Sequence, residues 1–299
     1  MRPASTAALT ALLSGVLAVP AAAEPVPAPE AIRTISAACL DSQVALLAGG
    51  SVTTSTTRLA LTPQRFQVGG VSIDRVVAAD AGTYGAITAS GLRMKDRKKA
   101  LGYLKRPRAR WWVNAGRFET PAQGWSASFE QARDAVLTIP ESCSEVLQSV
   151  SGDSVDLTGN TWTFTGASHD PITILSTGDG RLSQLADMSI DYSVPALVVP
   201  SRAVPFRAWQ KASQAASLDR VLRTLAKQVA GVVNSGEPTV PAIEEAAGAA
   251  LQADRVVPIK VRQLRKGSLL YARNPYTKAY HAWRVYLKKG RAVARRVAP

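Results

Sequence analysis

The sequence predicts an α+β fold, and three observations carry the prediction. Between Ser51 and Trp125 the chain runs in short stretches rich in Thr, Val, Ile, Tyr and Trp, broken by VGG, DAGT, NAGR and AQGW, which is the texture of strands joined by turns. Segments on either side carry apolar residues at helical spacing. From Arg255 to Pro299 alternation returns, now with thirteen Lys or Arg and no Asp or Glu, so this segment holds almost all of the formal net charge of +14.

The N-terminus reads as an export signal over residues 1–23. Arg2 precedes the uncharged run AALTALLSGVLAVP, too short to span a bilayer comfortably, and small residues at Ala21 and Ala23 suit cleavage near Ala23. Cys39 lies well past the Pro-rich EPVPAPE stretch, and Ser36 stands three positions before it, so no lipid-anchor motif is present. Export changes the expected partner of a basic chain. In the cytoplasm such charge points first to nucleic acid. Beyond the membrane the polyanions are wall polymers, acidic polysaccharides and anionic lipid headgroups, drawn by the same salt-sensitive field, so nucleic acid is not an expected partner.

Cys39 and Cys143 are the two cysteines. In an oxidising compartment an even pair reads as one disulfide, worth about 4 kcal/mol for so long a loop in the chain-entropy model. Two buried free thiols are the alternative. His169 and His281 are the only histidines and neither lies near a cysteine, which leaves no metal site; no cofactor motif is present either.

Taken in order, EAIRTISAACLDSQVALL places Ile32, Ile35, Ala38 and Cys39 on one helical face and stops at AGGS. The strand-rich stretch follows. ASFEQARDAVLTIPESCSEVLQSV then reads as one or two helices with a break at Pro140. Strands return in SVDLTGNTWTFTGA and PITILSTGDGRLSQLADMSIDYS, with STGDGR as a hairpin turn. In VPFRAWQKASQAASLDRVLRTLAKQVAGVV the stripe Leu218, Val221, Leu222, Leu225, Val229 and Val232 predicts a helix, and TVPAIEEAAGAALQ starts another with Pro241 in its first turn. The basic end then suits a small antiparallel sheet with turns at Lys266-Gly267 and Lys289-Gly290, in which Trp283, Val285 and Leu287 face away from Arg284 and Tyr286. A disordered arm is the competing reading, opposed by the frequent Val, Ile, Leu, Tyr and Trp.

The candidate anion-binding surface is Arg262, Arg265, Lys266, Arg284, Lys288, Lys289, Arg291, Arg295 and Arg296. A second basic cluster runs from Arg93 to Arg110, with nine Lys or Arg against one Asp. Two solvated faces would account for both clusters equally. No catalytic constellation assembles: His169 sits in ASHDP, His281 in an aromatic run, and G-x-S-x-G, H-E-x-x-H and a phosphate-cradling glycine loop are all missing from the sequence, so no enzymatic activity is expected.

TYGAITASGL, RWWVNAGRFETPAQGW, the hairpin ILSTGDGRLSQL leading into DYS, and VVPSRAVPF follow one another in an order that resembles the exported LolA/LppX-like proteins of bacteria, over Glu30 to Gln214. The resemblance implies a strongly curved antiparallel sheet, an unclosed barrel with helices on its concave side, and an apolar cavity that takes acyl chains. It implies a curved-sheet domain over residues 24–216, with a helical connector (217–254) and a basic β-rich segment (255–299) outside it. Trp112, Phe129, Val136, Leu137 and Ile174 are the candidate cavity lining. The expected function is that of an exported, non-enzymatic lipid- or glycolipid-binding carrier of the bacterial envelope. The alternative is a wall-associated protein whose basic end attaches it to anionic envelope polymer or an anionic membrane surface.

Overall fold

A computed structural model describes residues 23–71, 73–120, 124–126, 128–251 and 255–298. The expected signal segment therefore lies, apart from Ala23, outside the described residues. The fold is α+β, largely antiparallel, with six α-helices among the described residues and a separate four-stranded sheet at the C-terminal end. Two compact units divide the chain: residues up to Ser42 with Ile139–Ala186, and Gln43–Thr138 with Asp187–Pro299.

The first unit is a five-strand antiparallel ladder in the order Glu24–Val26, Ser154–Thr158, Thr161–Thr165, Ile172–Ser176, Leu182–Leu185. The last two strands form the hairpin expected at STGDGR, closed where Thr177 N donates to Arg181 O at 2.6 Å. Val155, Phe164, Ile174, Leu182 and Leu185 are buried in this unit, with Ala31, Ile35, Ala38 and Cys39 from the helix Ala28–Ala48. That helix is the one among the described residues long and apolar enough to cross a membrane by length and composition, but its buried face is part of this core. A disulfide joins its Cys39 to Cys143 on the helix Ile139–Ser149. That second helix begins at Ile139, so Pro140 lies in its first turn, where the missing N–H costs nothing, and the expected break falls earlier, after Asp134. Ser42 ties helix to sheet, its hydroxyl donating to Ala38 O at 2.6 Å and accepting from Leu182 N at 2.9 Å.

In the second unit the ladder runs Met188–Asp191, Gly50–Thr53, Thr57–Thr62, Arg65–Gly70, Asp74–Ala78, Gly82–Ala86, Trp111–Ala115, and ends on the two-residue parallel strand Val204–Pro205. Its two end strands do not pair with each other, and the sheet is neither curled nor closed. This corrects the expectation of a strongly curved, barrel-like sheet. Closure would need strands long enough to keep pairing as they coil, and the terminal strand here is only two residues long.

The helix Phe206–Asn234 organises the rest of this unit. Its first half, through Trp209, Ala212 and Ala216, packs with Trp112, Ile87, Ala100 and Leu101. Its second half, through Leu218, Leu222, Leu225, Val229 and Val233, packs on the C-terminal sheet. The boundary expected between residues 216 and 217 thus falls inside one continuous helix. The predicted stripe is correct except at its end, where Val233 is buried and Val232 is exposed, because four residues from Val229 stay closer to the face than three. Helix Val240–Ala249 follows, capped by Thr239, whose hydroxyl accepts from Ala242 N at 3.3 Å.

Candidate functional site

The C-terminal sheet is a simple meander of Lys260–Leu264, Gly267–Arg273, Tyr280–Lys288 and Arg291–Val297. The first turn is Arg265-Lys266, one residue earlier than expected. Gly267 instead opens the next strand at φ 140°, with Val285 O only 2.1 Å from where a Cβ would stand, so the glycine is required by close backbone approach. The second turn is Lys289-Gly290, with φ 51° and 73°, the left-handed pair of a two-residue hairpin.

Period-two alternation splits the side chains between two faces. Leu270, Ala272, Val285 and Ala292 are buried against the two helices, with Val261, Trp283, Leu287 and Ala294 beside them. The residues between them point the other way. Register places Arg262, Leu269, Arg284 and Arg295 opposite one another in a single row across all four strands. At a strand spacing of about 4.8 Å the row is roughly 14 Å long. Lys260, Tyr271, Arg273, Tyr280 and Tyr286 share the same face by the same register. Arg284 lies with its guanidinium 5.0 Å from the Tyr286 ring, and Arg273 lies 5.6 Å from Tyr280. The Arg284 Nε is buried and has no hydrogen-bond partner among the described residues.

Both two-residue turns lie at one end of the sheet, since Leu287 N donates to Lys266 O at 3.3 Å. Arg265, Lys266, Lys288, Lys289 and Arg291 therefore cluster there, beside the row. Eight of the nine predicted cations thus fall on the outer face or this end. Arg296 does not: its Nε is 3.2 Å from Asp219 Oδ1 on the long helix, an acceptor that Trp283 Nε1 also approaches at 3.3 Å. Lys260 and Arg273, with the tyrosines, were not in the predicted set. Parity along each strand would have found them, because they fall in step with Arg262 and Tyr271.

Of the five predicted apolar residues, four belong to the second unit and Ile174 to the first. Phe129 is buried at 5.7 Å from Phe66, Leu137 is buried, and Val136 is half-buried. Trp112 lies 4.7 Å from Phe206 with the Arg75 guanidinium 4.8 Å over its ring. Ile174 belongs to the core of the other unit. None of them lines any of four surface cavities, of about 620, 500, 580 and 400 Å³, among the described residues.

Both histidines do meet a carboxylate. His169 Nε2 is 3.0 Å from Asp153 Oδ2, with Nδ1 2.7 Å from Asp170 O; His281 Nδ1 is 3.7 Å from Asp219 Oδ1. Neither ring bonds a hydroxyl or thiol among the described residues, and both thiols are spent in the disulfide. No group of three or more metal-ligating side chains occurs among the described residues. The chain matches no protein-family model, no curated protein and no solved structure.

Proposed function

We propose that this is an exported, non-enzymatic binding protein that attaches to anionic polymer of the cell envelope through the outer face and turn end of its C-terminal sheet. The observation that carries this reading is the row Arg262, Arg284, Arg295 on a folded surface whose parent segment has no Asp or Glu. Like charges so close repel one another, and a polyanion that neutralises them releases counterions as it binds. The disulfide is consistent with a site of action outside the cytoplasm. No nucleic acid or cofactor is part of this reading. Immobilised polyuronate or polyglycerol phosphate should retain the protein at low ionic strength and release it as salt rises; a protein that flows through at low salt overturns the proposal.

A second reading, carriage of a lipid or glycolipid, has one foothold. An apolar groove of about 500 Å³ beside the disulfide in the first unit is lined by Ile32, Leu40 and Leu147, and Leu40 is 60% exposed. Native mass spectrometry after gentle extraction tests it, since a carrier co-purifies with its lipid.

A further inference from the structure

The second unit holds another concentration of charge, separate from the sheet. Residues 104–111, which follow the helix Met94–Tyr103, face residues 201–205 across two adjoining cavities of about 620 and 580 Å³. The cavities share Pro107, Arg108, Ala109 and Arg202. Lys105, Arg106, Arg108, Arg110 and Arg202 line one or both, and no Asp or Glu lines either. None of the five cations makes an ion pair among the described residues, although Asp96, a few residues upstream, is engaged by Arg220 at 3.0 Å.

The walls are set by backbone contacts. Arg106 N donates to Leu101 O at 3.1 Å, Ala109 N to Arg106 O at 3.1 Å, and Ile87 N to Arg110 O at 2.8 Å. The parallel bridge Val204↔Trp112 and Pro205↔Val113 holds the opposite wall in place. Two of the cations also sit in an unfavourable backbone conformation: Lys105 at φ 53° and Arg202 at φ 59°. Lys105 follows the end of a helix, where this left-handed geometry is ordinarily taken by glycine. A non-glycine cation held in this costly geometry on each wall suits a site.

We propose that this cleft binds a phosphoryl group, held between Arg108 and Arg202. Those two residues are common to both cavities, and the planar guanidinium fork matches phosphate oxygens in pairs. The rest of the ligand lies on Leu104, Val204, Pro205 and Ala208, the apolar side of the larger cavity. This site does not depend on the sheet surface.

The experiment is an NMR titration of the full chain with inorganic phosphate at constant ionic strength. Saturable shifts confined to residues around 104–111 and 201–205 are expected. Arg108→Gln with Arg202→Gly should weaken binding at least tenfold, whereas Arg262→Gln with Arg284→Gln on the sheet should leave it unchanged. Lys105→Gly separates a binding role from a structural one: it should raise Tm by relieving the backbone while weakening phosphate. Absence of saturable shifts, equal affinity in the Arg108/Arg202 variant, or loss only in the sheet variant would each overturn the proposal. Cosedimentation with phosphatidic acid vesicles, competed by inorganic phosphate, identifies a lipid headgroup as the source of the phosphoryl group; soluble phosphate binding without cosedimentation identifies a free phosphate ester.

Discussion

Asn234 grips Ala292 at two points: its Nδ2 donates to Ala292 O at 2.9 Å, and Ala292 N donates to its Oδ1 at 2.8 Å. Asn234 is the last residue of the long helix and Ala292 lies on the outermost strand of the C-terminal sheet, so a side-chain amide takes the place of a neighbouring strand. The contact both satisfies exposed edge groups and fixes the sheet to the helix beneath it. Asn234→Ala leaves two backbone groups unpaired, and each net hydrogen bond is worth about 1 kcal/mol. Chemical denaturation should show a loss of about 2 kcal/mol, with faster amide exchange at Ala292; an unchanged midpoint would show that the edge is held by packing alone.

A second side-chain amide, this one buried, ties the strand-to-strand loop of that sheet to two helices. Asn274 is fully buried; its Nδ2 donates to Tyr103 Oη at 3.2 Å and Ala215 O at 3.1 Å, and its Oδ1 accepts from Tyr276 N at 2.9 Å. Tyr276 stacks on Tyr103 with ring centres 4.7 Å apart. Burial holds the Tyr276 phenol above its ordinary pKa of 10.0, because the phenolate would be desolvated. A folded-state value raised above the unfolded one gives stability that is complete below the ordinary phenol pKa and lost as pH rises through the folded value. Ultraviolet titration should show an ionisation phase above that of free tyrosine which vanishes in Tyr276→Phe. Identical titration curves for the two proteins would contradict this placement.

Gly85 pairs directly with Trp112, and a Cβ at Gly85 would stand 2.1 Å from the indole ring. The ring has no room to retreat, being held by Phe206 at 4.7 Å and Arg75 at 4.8 Å. Gly85→Ala should therefore cost about 1–3 kcal/mol by overpacking. A thermal melt within error of the parent would mean that Trp112 repacks freely.

The disulfide joins two cysteines of the first unit across a sequence separation of 104. Replacing both cysteines by serine should lower stability by about 4 kcal/mol, an amount set by chain entropy in the unfolded state. Denaturation with and without reductant checks this; insensitivity to reductant would mean that the thiols are free.

How legible this was from sequence depended on the range of the interaction. The C-terminal sheet was readable because alternation there is local: Trp283 and Val285 fall on one face and Arg284 on the other, as period two requires. The helix ends at Gly49 and Gly50 were readable for the same reason. The curvature of the large sheet was not, since it depends on how many strands pair and where the ladder stops, and Val204–Pro205 is a two-residue strand with no pattern of its own. The apolar residues Trp112 and Ile174 carried no sign of which partner they would meet. Nor did Arg296 differ in sequence from Arg295, yet one pairs with Asp219 from a distant helix and the other faces outward. The cleft at Arg108 and Arg202 joins segments nearly a hundred residues apart, by about the count of intervening positions, brought together by the parallel bridge at Trp112 and by the packing of the long helix on Trp112, Ala100 and Leu101.

The most direct test of the attachment surface is the dependence of affinity on salt. Binding of the full chain to a polyuronate or polyglycerol phosphate should give a log affinity that falls linearly with log salt concentration. Arg262→Gln, Arg284→Gln and Arg295→Gln together should make that slope shallower by about two to three while leaving the fold intact. An unchanged slope in the triple variant would contradict the account.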